Sequence, residues 1–123
     1  MTEDDHPVEL TSAVIFDVLS EPQRRFVLAY LHQQRRPISM AELTRKVAAW
    51  EAECPVSELD EEDVDRVAES LFDEHLPKLA HAGLVTVERR ADLHMVTLTN
   101  RIENIEADLD RELQLDPHEY HVD

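Results

Sequence analysis

The chain has 123 residues, but only one cysteine, Cys54, and one glycine, Gly83. A single cysteine excludes an internal disulfide and a cysteine-based metal centre. A single glycine excludes the glycine-rich loops that cradle phosphates in nucleotide-dependent enzymes. The sequence also lacks a His–Cys cluster and a nucleophile motif. We therefore expect a protein that is not an enzyme and that holds no cofactor and no metal.

Long hydrophobic runs are missing as well, because no stretch reaches the 18 apolar residues that a transmembrane helix needs. Residues 1–5 are acidic and do not have the basic-then-apolar layout of a secretory signal. These features predict a cytoplasmic protein without a membrane segment. The length fits one domain, which we place at residues 11–113, between a flexible acidic arm (1–10) and a flexible tail (114–123).

Positive charge is scarce, since 28 acidic residues outnumber 12 basic ones and the net charge is −16. Three explanations are open: a cytosol at molar salt, a basic protein partner, or plain solubility. The acids are spread along the chain rather than collected in one tail, which favours a halophilic host. At about 1 M salt the Debye length is about 3 Å, so repulsion from DNA phosphates beyond direct contact is largely screened.

The clearest local pattern begins at Asp60, which can cap a helix. Apolar residues then recur at spacings of three and four, which places them on one inward helical face. Pro77 predicts a kink or a helix in two pieces. Gly83 stands where a left-handed residue ends a helix. The residues of the predicted inward face are Val64, Val67, Ala68, Leu71, Phe72 and Leu79.

Two strands follow, because residues 84–89 and 93–98 alternate between apolar and polar side chains. The connection between them, residues 90–92, contains no glycine, and it therefore predicts a loop longer than a two-residue type I′ turn.

The preceding half of the chain predicts three helices and a short β-bridge at residues 37–39. Thr11 or Ser12 can cap the first helix, Ser20 the second and Ser39 the third. We interpret the arginines of the second helix as a solvated surface; they are Arg24, Arg25, Arg35 and Arg36.

Asn100 can cap a last helix whose apolar stripe is narrow. A narrow stripe favours pairing between two helices, so we predict a homodimer through this helix; packing on the first helix of the same chain is the alternative. The stripe consists of Ile102, Ile105, Leu109 and Leu113. The predicted fold is thus mostly α with a small β-hairpin, in the order helix, helix, bridge, helix, helix, strand, strand, helix.

Three segments of the sequence resemble those of a known protein family. They are FDVLSEPQRRFVLAYL (residues 16–31), ISMAELTRKVAAWE (38–51) and SLFDEHLPKLAHAGLVTVE (70–88). They resemble a haloarchaeal winged helix-turn-helix domain family of unknown function, in the ArsR-like transcription-factor class. The resemblance implies a transcriptional regulator that binds double-stranded DNA, with the helix after Asp60 in the major groove and the hairpin on the backbone.

Under this resemblance, Arg66 and Ser70 would enter the groove and Arg89 and Arg90 would contact phosphates from the hairpin. Arg45, Lys46 and Lys78 would flank them. The helix itself is acidic, however, because residues 51–74 hold eleven acids and one base, whereas helices that enter the groove usually offer Arg, Lys, Asn or Gln. A second hypothesis therefore stands beside DNA binding: a winged-helix module for protein–protein interaction or dimerisation.

Overall fold

The computed structural model describes residues 9–104, which are mostly helical and carry a small three-stranded antiparallel sheet. The helices are α1 (Ser12–Val18), α2 (Pro22–Gln34), α3 (Met40–Ala52), α4 (Glu61–Ser70) and α5 (Leu76–His81). A π-turn (Leu71–His75) joins α4 to α5. The strands are β1 (Ile38–Ser39), β2 (Val85–Arg90) and β3 (Leu93–Leu98). Two 3₁₀ turns occupy Val56–Glu58 and Asn100–Asn104.

Side-chain caps start two of the three N-terminal helices. Thr11 Oγ1 accepts from Val14 N at 3.2 Å, and Ser39 Oγ accepts from Glu42 N at 3.1 Å. The predicted cap at Ser20 is wrong, because Glu21 occupies the N-cap position of α2 and makes no side-chain cap bond. Ser20 belongs instead to the end of α1, where its hydroxyl donates to the carbonyl of Asp17 at 2.7 Å.

The chain is helical from residue 61 to residue 81. Asp60 caps this stretch, because its carboxylate accepts from Glu62 N at 3.2 Å, as predicted. The interruption predicted near Pro77 takes the form of the π-turn just before it, which tolerates the missing N–H of proline. Gly83 has φ 77°, and its N–H donates to Ala80 O at 2.9 Å, which confirms the left-handed residue after α5.

The sheet has the strand order β1-β3-β2, so the short bridge strand lies beside the second hairpin strand. In the hairpin, Arg90 pairs with Leu93, which leaves a two-residue turn. The prediction of a longer loop is therefore wrong. The turn forms without glycine because Ala91 adopts φ 55°, a left-handed conformation that is unfavourable for a residue with a Cβ.

The core lies between the helices and one face of the sheet. Val64, Val67, Leu71 and Leu79 are all buried in it and Ala68 is half-buried, which confirms most of the predicted inward face. Phe72 is the exception, since it is 52% exposed and its ring lies edge-on to His94 at 5.7 Å between centroids. The physical reason is that Phe72 stands at the edge of the stripe and turns toward the end of the hairpin, beyond the reach of the core.

Three of the four residues predicted to pair two copies, Ile105, Leu109 and Leu113, lie outside the described residues. Ile102 lies in the 3₁₀ turn and is packed in the core of its own chain, so little of its side chain remains for a partner. Within residues 9–104, no helix is long and apolar enough to cross a membrane. The same part of the chain contains no group of three or more His, Cys, Asp or Glu side chains that could hold a metal ion.

Candidate nucleic-acid interface

The surface that sequence analysis predicts to bind DNA consists of the outer face of α4 and the hairpin. The inner face of α4 is held by Val64 and Val67, which are buried in the core. This packing turns the charged residues of α4 outward. The exposed acids of the helical stretch are Glu61, Glu62, Asp65, Glu69, Asp73 and Glu74.

The two residues predicted to enter a DNA groove differ in their accessibility. Arg66 is 70% exposed, but its guanidinium forms an ion pair with Asp63, one turn earlier on the same helix. Ser70 is half-buried, and its hydroxyl donates to Gln23 Oε1 on α2 at 3.2 Å. The structure therefore directs Ser70 toward α2, and Arg66 is the predicted groove residue that remains on the open face.

The hairpin carries the two predicted phosphate contacts, Arg89 and Arg90, both exposed at the end of β2. Successive residues of a strand point to opposite faces, so the two guanidinium groups flank the strand. Arg89 Nε donates to the carbonyl of Ala91 at 3.4 Å, and Arg90 pairs with Glu88 at 3.1 Å. The two-residue turn places both side chains next to the tip of the hairpin.

The three flanking cations lie on different elements. Arg45 on α3 lies 3.4 Å from a carboxylate oxygen of Glu61. Lys78 on α5 lies 2.8 Å from a carboxylate oxygen of Asp17 on α1, and this hydrogen bond is the main reason that the pKa of Asp17 is lowered from its usual value. Lys46 is half-buried on α3. Carboxylates of the chain thus neutralise Arg45, Arg66, Lys78 and Arg90, and the cations do not merge into one positive surface.

Sequence analysis missed a buried polar contact between Arg24, the end of α1 and the π-turn that follows α4. Arg24, interpreted as a solvated residue, is only 3% exposed. Its guanidinium donates to Val18 O at 2.8 Å, to Asp17 O at 2.9 Å and to His75 Nδ1 at 3.0 Å. It therefore joins the end of α1 to the π-turn that follows α4. No local pattern signals this role, because His75 lies 51 positions away along the chain.

The protonation state of His75 follows from that contact. An arginine can only donate, so Nδ1 of His75 must be the acceptor and Nε2 carries the proton. Burial lowers the pKa of His75, and the nearby positive charge of Arg24 acts in the same direction, against the opposing effect of Glu74. His75 is therefore a neutral structural partner of Arg24.

Sequence analysis also missed an apolar groove beside the acidic face. The groove lies between the π-turn, α5 and the hairpin, and it encloses about 390 Å³. Its only sequence signal is Phe72, which the helical spacing assigns to the inward face. The groove is lined by Phe72, Leu76, Pro77, Ala80, Val87 and His94.

Comparison with known proteins identifies the chain at the level of its family. No curated protein and no solved structure matches it. A family model described as a domain of unknown function, DUF7344, matches residues 16–97, which is more than half of the chain and includes α2, α3, α4, α5, β2 and all of β3 except its last residue. The chain therefore belongs to the DUF7344 family.

Proposed function

We propose that the chain is a cytoplasmic DNA-binding transcriptional regulator of the winged helix-turn-helix type, working in a halophilic archaeon at high salt. The order of its elements supports this proposal. A helix, a bridge strand and two further helical segments precede a hairpin, and the sheet has the order β1-β3-β2. In such an arrangement α4, the helix after Asp60, would face the duplex and the hairpin would lie on the backbone.

The observation that carries the proposal is the pair Arg89 and Arg90 at the tip of the hairpin. Both are exposed and stand next to a turn of only two residues; Glu88 pairs with Arg90, so Arg89 is the more available of the two. Arginine is well suited to phosphate contact because its planar guanidinium offers several donors at once. In molar salt, screening confines the repulsion between DNA and the acidic α4 to direct contact.

Fluorescence anisotropy in about 1 M KCl tests this function, with the chain's own upstream DNA compared with a random duplex of equal length. Arg89→Glu should weaken binding to both duplexes alike, by roughly tenfold, because a phosphate contact carries no sequence information. Arg66→Ala should change the preference between the duplexes instead.

The matched control is Arg35→Glu, which makes the same charge change at an exposed position at the end of α2. Its affinity should stay near that of the unsubstituted chain. An equal loss of DNA affinity in Arg89→Glu and Arg35→Glu would show that the effect arises from net charge and not from a contact at the hairpin. No preference for the upstream DNA would refute the regulator.

A second candidate function is a winged-helix module for protein–protein interaction without DNA binding. The specific observation that favours it is the outer face of α4, where the only base, Arg66, is paired with Asp63 and exposed acids surround it. Retention of a partner together with no affinity for any duplex in the same salt would support this candidate.

Homodimerisation through the segment that contains Ile105, Leu109 and Leu113 remains a prediction. Sedimentation equilibrium of the full chain tests it: Leu109→Asp should shift a dimer to a monomer.

A further inference from the structure

The apolar groove beside the hairpin has the size and the location of a docking site. It encloses about 390 Å³, and pockets of such volume bury large apolar groups. Leu76 forms its buried floor, while Phe72, Pro77 and Ala80 are exposed at its edges. Phe72 is 52% exposed and stands beside the exposed Pro77 and Ala80, so an apolar side chain that docks there would remove contiguous apolar area from water.

The groove begins at Phe72, three residues after the exposed Glu69 in the same helical stretch. Six residues at spacings of three and four follow one another along α4, the π-turn and α5; they are acidic in α4 and apolar in the π-turn and α5, and we call this series the line. Asp65 and Glu69 of the acidic half are exposed, and neither forms an ion pair with any residue in the 9–104 range. The line consists of Glu61, Asp65, Glu69, Phe72, Leu76 and Ala80.

Charge complementarity indicates what can cover this line. A second copy of the chain carries the same net charge of −16, and any of its acids in direct contact with Asp65 and Glu69 would be repelled even in molar salt. A phosphate backbone would be repelled by the acidic half, and among the residues that line the groove only His94 has a side-chain donor to offer it. A segment that combines basic with bulky apolar side chains would satisfy both halves, because its cations would pair with Asp65 and Glu69 while its apolar side chains fill the groove.

We propose that the groove, together with Asp65 and Glu69, is the docking site for a basic amphipathic segment of a partner protein. This inference rests on the second candidate function and adds to it the site and the chemistry of the partner. If the chain also binds DNA, the segment would cover the outer face of α4, and the two ligands would compete.

Selection from a displayed library of random peptides tests the proposal on the immobilised full chain in about 1 M KCl. Peptides of about 16 residues are long enough for about 24 Å of helix. We expect the enriched sequences to carry a net positive charge and bulky apolar residues at helical spacing. Enrichment of neutral or acidic sequences, or no enrichment, would overturn the proposal.

Anisotropy with the most enriched peptide then locates the site. Phe72→Ala should weaken binding by about tenfold or more, as expected for an apolar anchor, and Glu69→Lys should weaken it as well. Their matched controls are Phe16→Ala, at a Phe that is 76% exposed on α1, and Glu103→Lys, at an exposed acid outside α4.

Two outcomes separate this inference from the wider function. If Phe72→Ala and Phe16→Ala reduce the affinity for the peptide equally, or if neither reduces it, the groove is not the binding site. Phe72→Ala should leave the affinity for DNA unchanged, because Phe72 offers nothing to a phosphate. The effect of Arg89→Glu on DNA binding therefore tests only the proposed regulator function and not the docking site.

Discussion

Replacement of Arg24 by methionine should destabilise the fold far more than the replacement of a solvated arginine, which is how the sequence pattern classifies Arg24. Arg24 is 3% exposed and donates to two carbonyl groups, to Ser20 Oγ and to His75 Nδ1. Arg24→Met keeps most of the apolar stem but removes every one of these donors. The carbonyl of Asp17 remains satisfied by Ser20, whereas Val18 O and His75 Nδ1 lose the donor that Arg24 supplies.

The magnitude follows from those two acceptors. Each buried acceptor left unsatisfied costs about 1–3 kcal/mol, which gives about 2–6 kcal/mol for two of them. Removing the guanidinium also removes the cost of burying a charge, so we expect the lower part of that range, about 2–4 kcal/mol. The free energy of unfolding, from urea titration at fixed KCl, measures the loss.

Two further variants make the result decisive. Arg25→Met is the matched control: Arg25 is half-buried, and within residues 9–104 its guanidinium bonds only Leu19 O, at 2.7 Å, so about 1 kcal/mol is expected. Arg24→Met combined with His75→Leu should cost less than the sum of the single substitutions, since each removes the same contact. A cost for Arg24→Met no larger than for Arg25→Met, or strict additivity with His75→Leu, would refute the reasoning.

Two predictions concern pH and the turn. Because the pKa of His75 is lowered in the folded chain from its usual 6.5, the unfolded chain binds a proton first as the pH falls, and stability should decrease as the pH drops below about 6.5. The charged groups that act on the pKa of His75 are Arg24, Glu74, Glu21 and Glu51. His75→Gln keeps a hydrogen-bond acceptor but does not titrate, so the urea midpoint should depend less on pH between about pH 5 and 6.5. An unchanged pH dependence of the midpoint would contradict this assignment. Ala91→Gly should stabilise the hairpin by up to about 1 kcal/mol, because glycine adopts the φ of 55° seen at Ala91 without a steric cost. Thermal unfolding measures this gain, with Ala41→Gly on α3, at an exposed helical position, as a control that should lose about 1 kcal/mol; a loss at Ala91 as well would count against the strained turn.

Much of the secondary structure follows from neighbours along the chain. Asp60 and Ser39 cap helices because a short side-chain acceptor reaches an N–H two or three residues later. Gly83 ends α5 because it adopts a left-handed φ without strain. These interactions span a few residues, so the sequence alone identified them correctly.

The candidate site was less accessible to prediction. The sequence identified Arg89 and Arg90 as exposed on the hairpin, but it assigned Ser70 to the outer face, whereas its hydroxyl is bonded to Gln23 on α2. The helical stripe placed Phe72 inside, yet the core ends before it and its ring meets His94 instead. Which residues at the edge of a stripe are covered depends on how far the neighbouring element extends, and periodicity carries no information about that distance.

The sequence by itself determined most of the helix and strand positions within residues 9–104 and the acidic outer face of the longest helical stretch, because periodicity, capping and charge are local properties; the last helix predicted after Asn100 begins in the structure as a 3₁₀ turn. Only the tertiary structure decided that Arg24 is buried against His75, that Ala91 takes a strained turn and that an apolar groove opens beside the hairpin. Each of these depends on two segments meeting in space, across a separation of 51 residues for Arg24 and His75 and across the strand register for Ala91. Such meetings are set by the packing of the whole domain rather than by any short stretch of the chain.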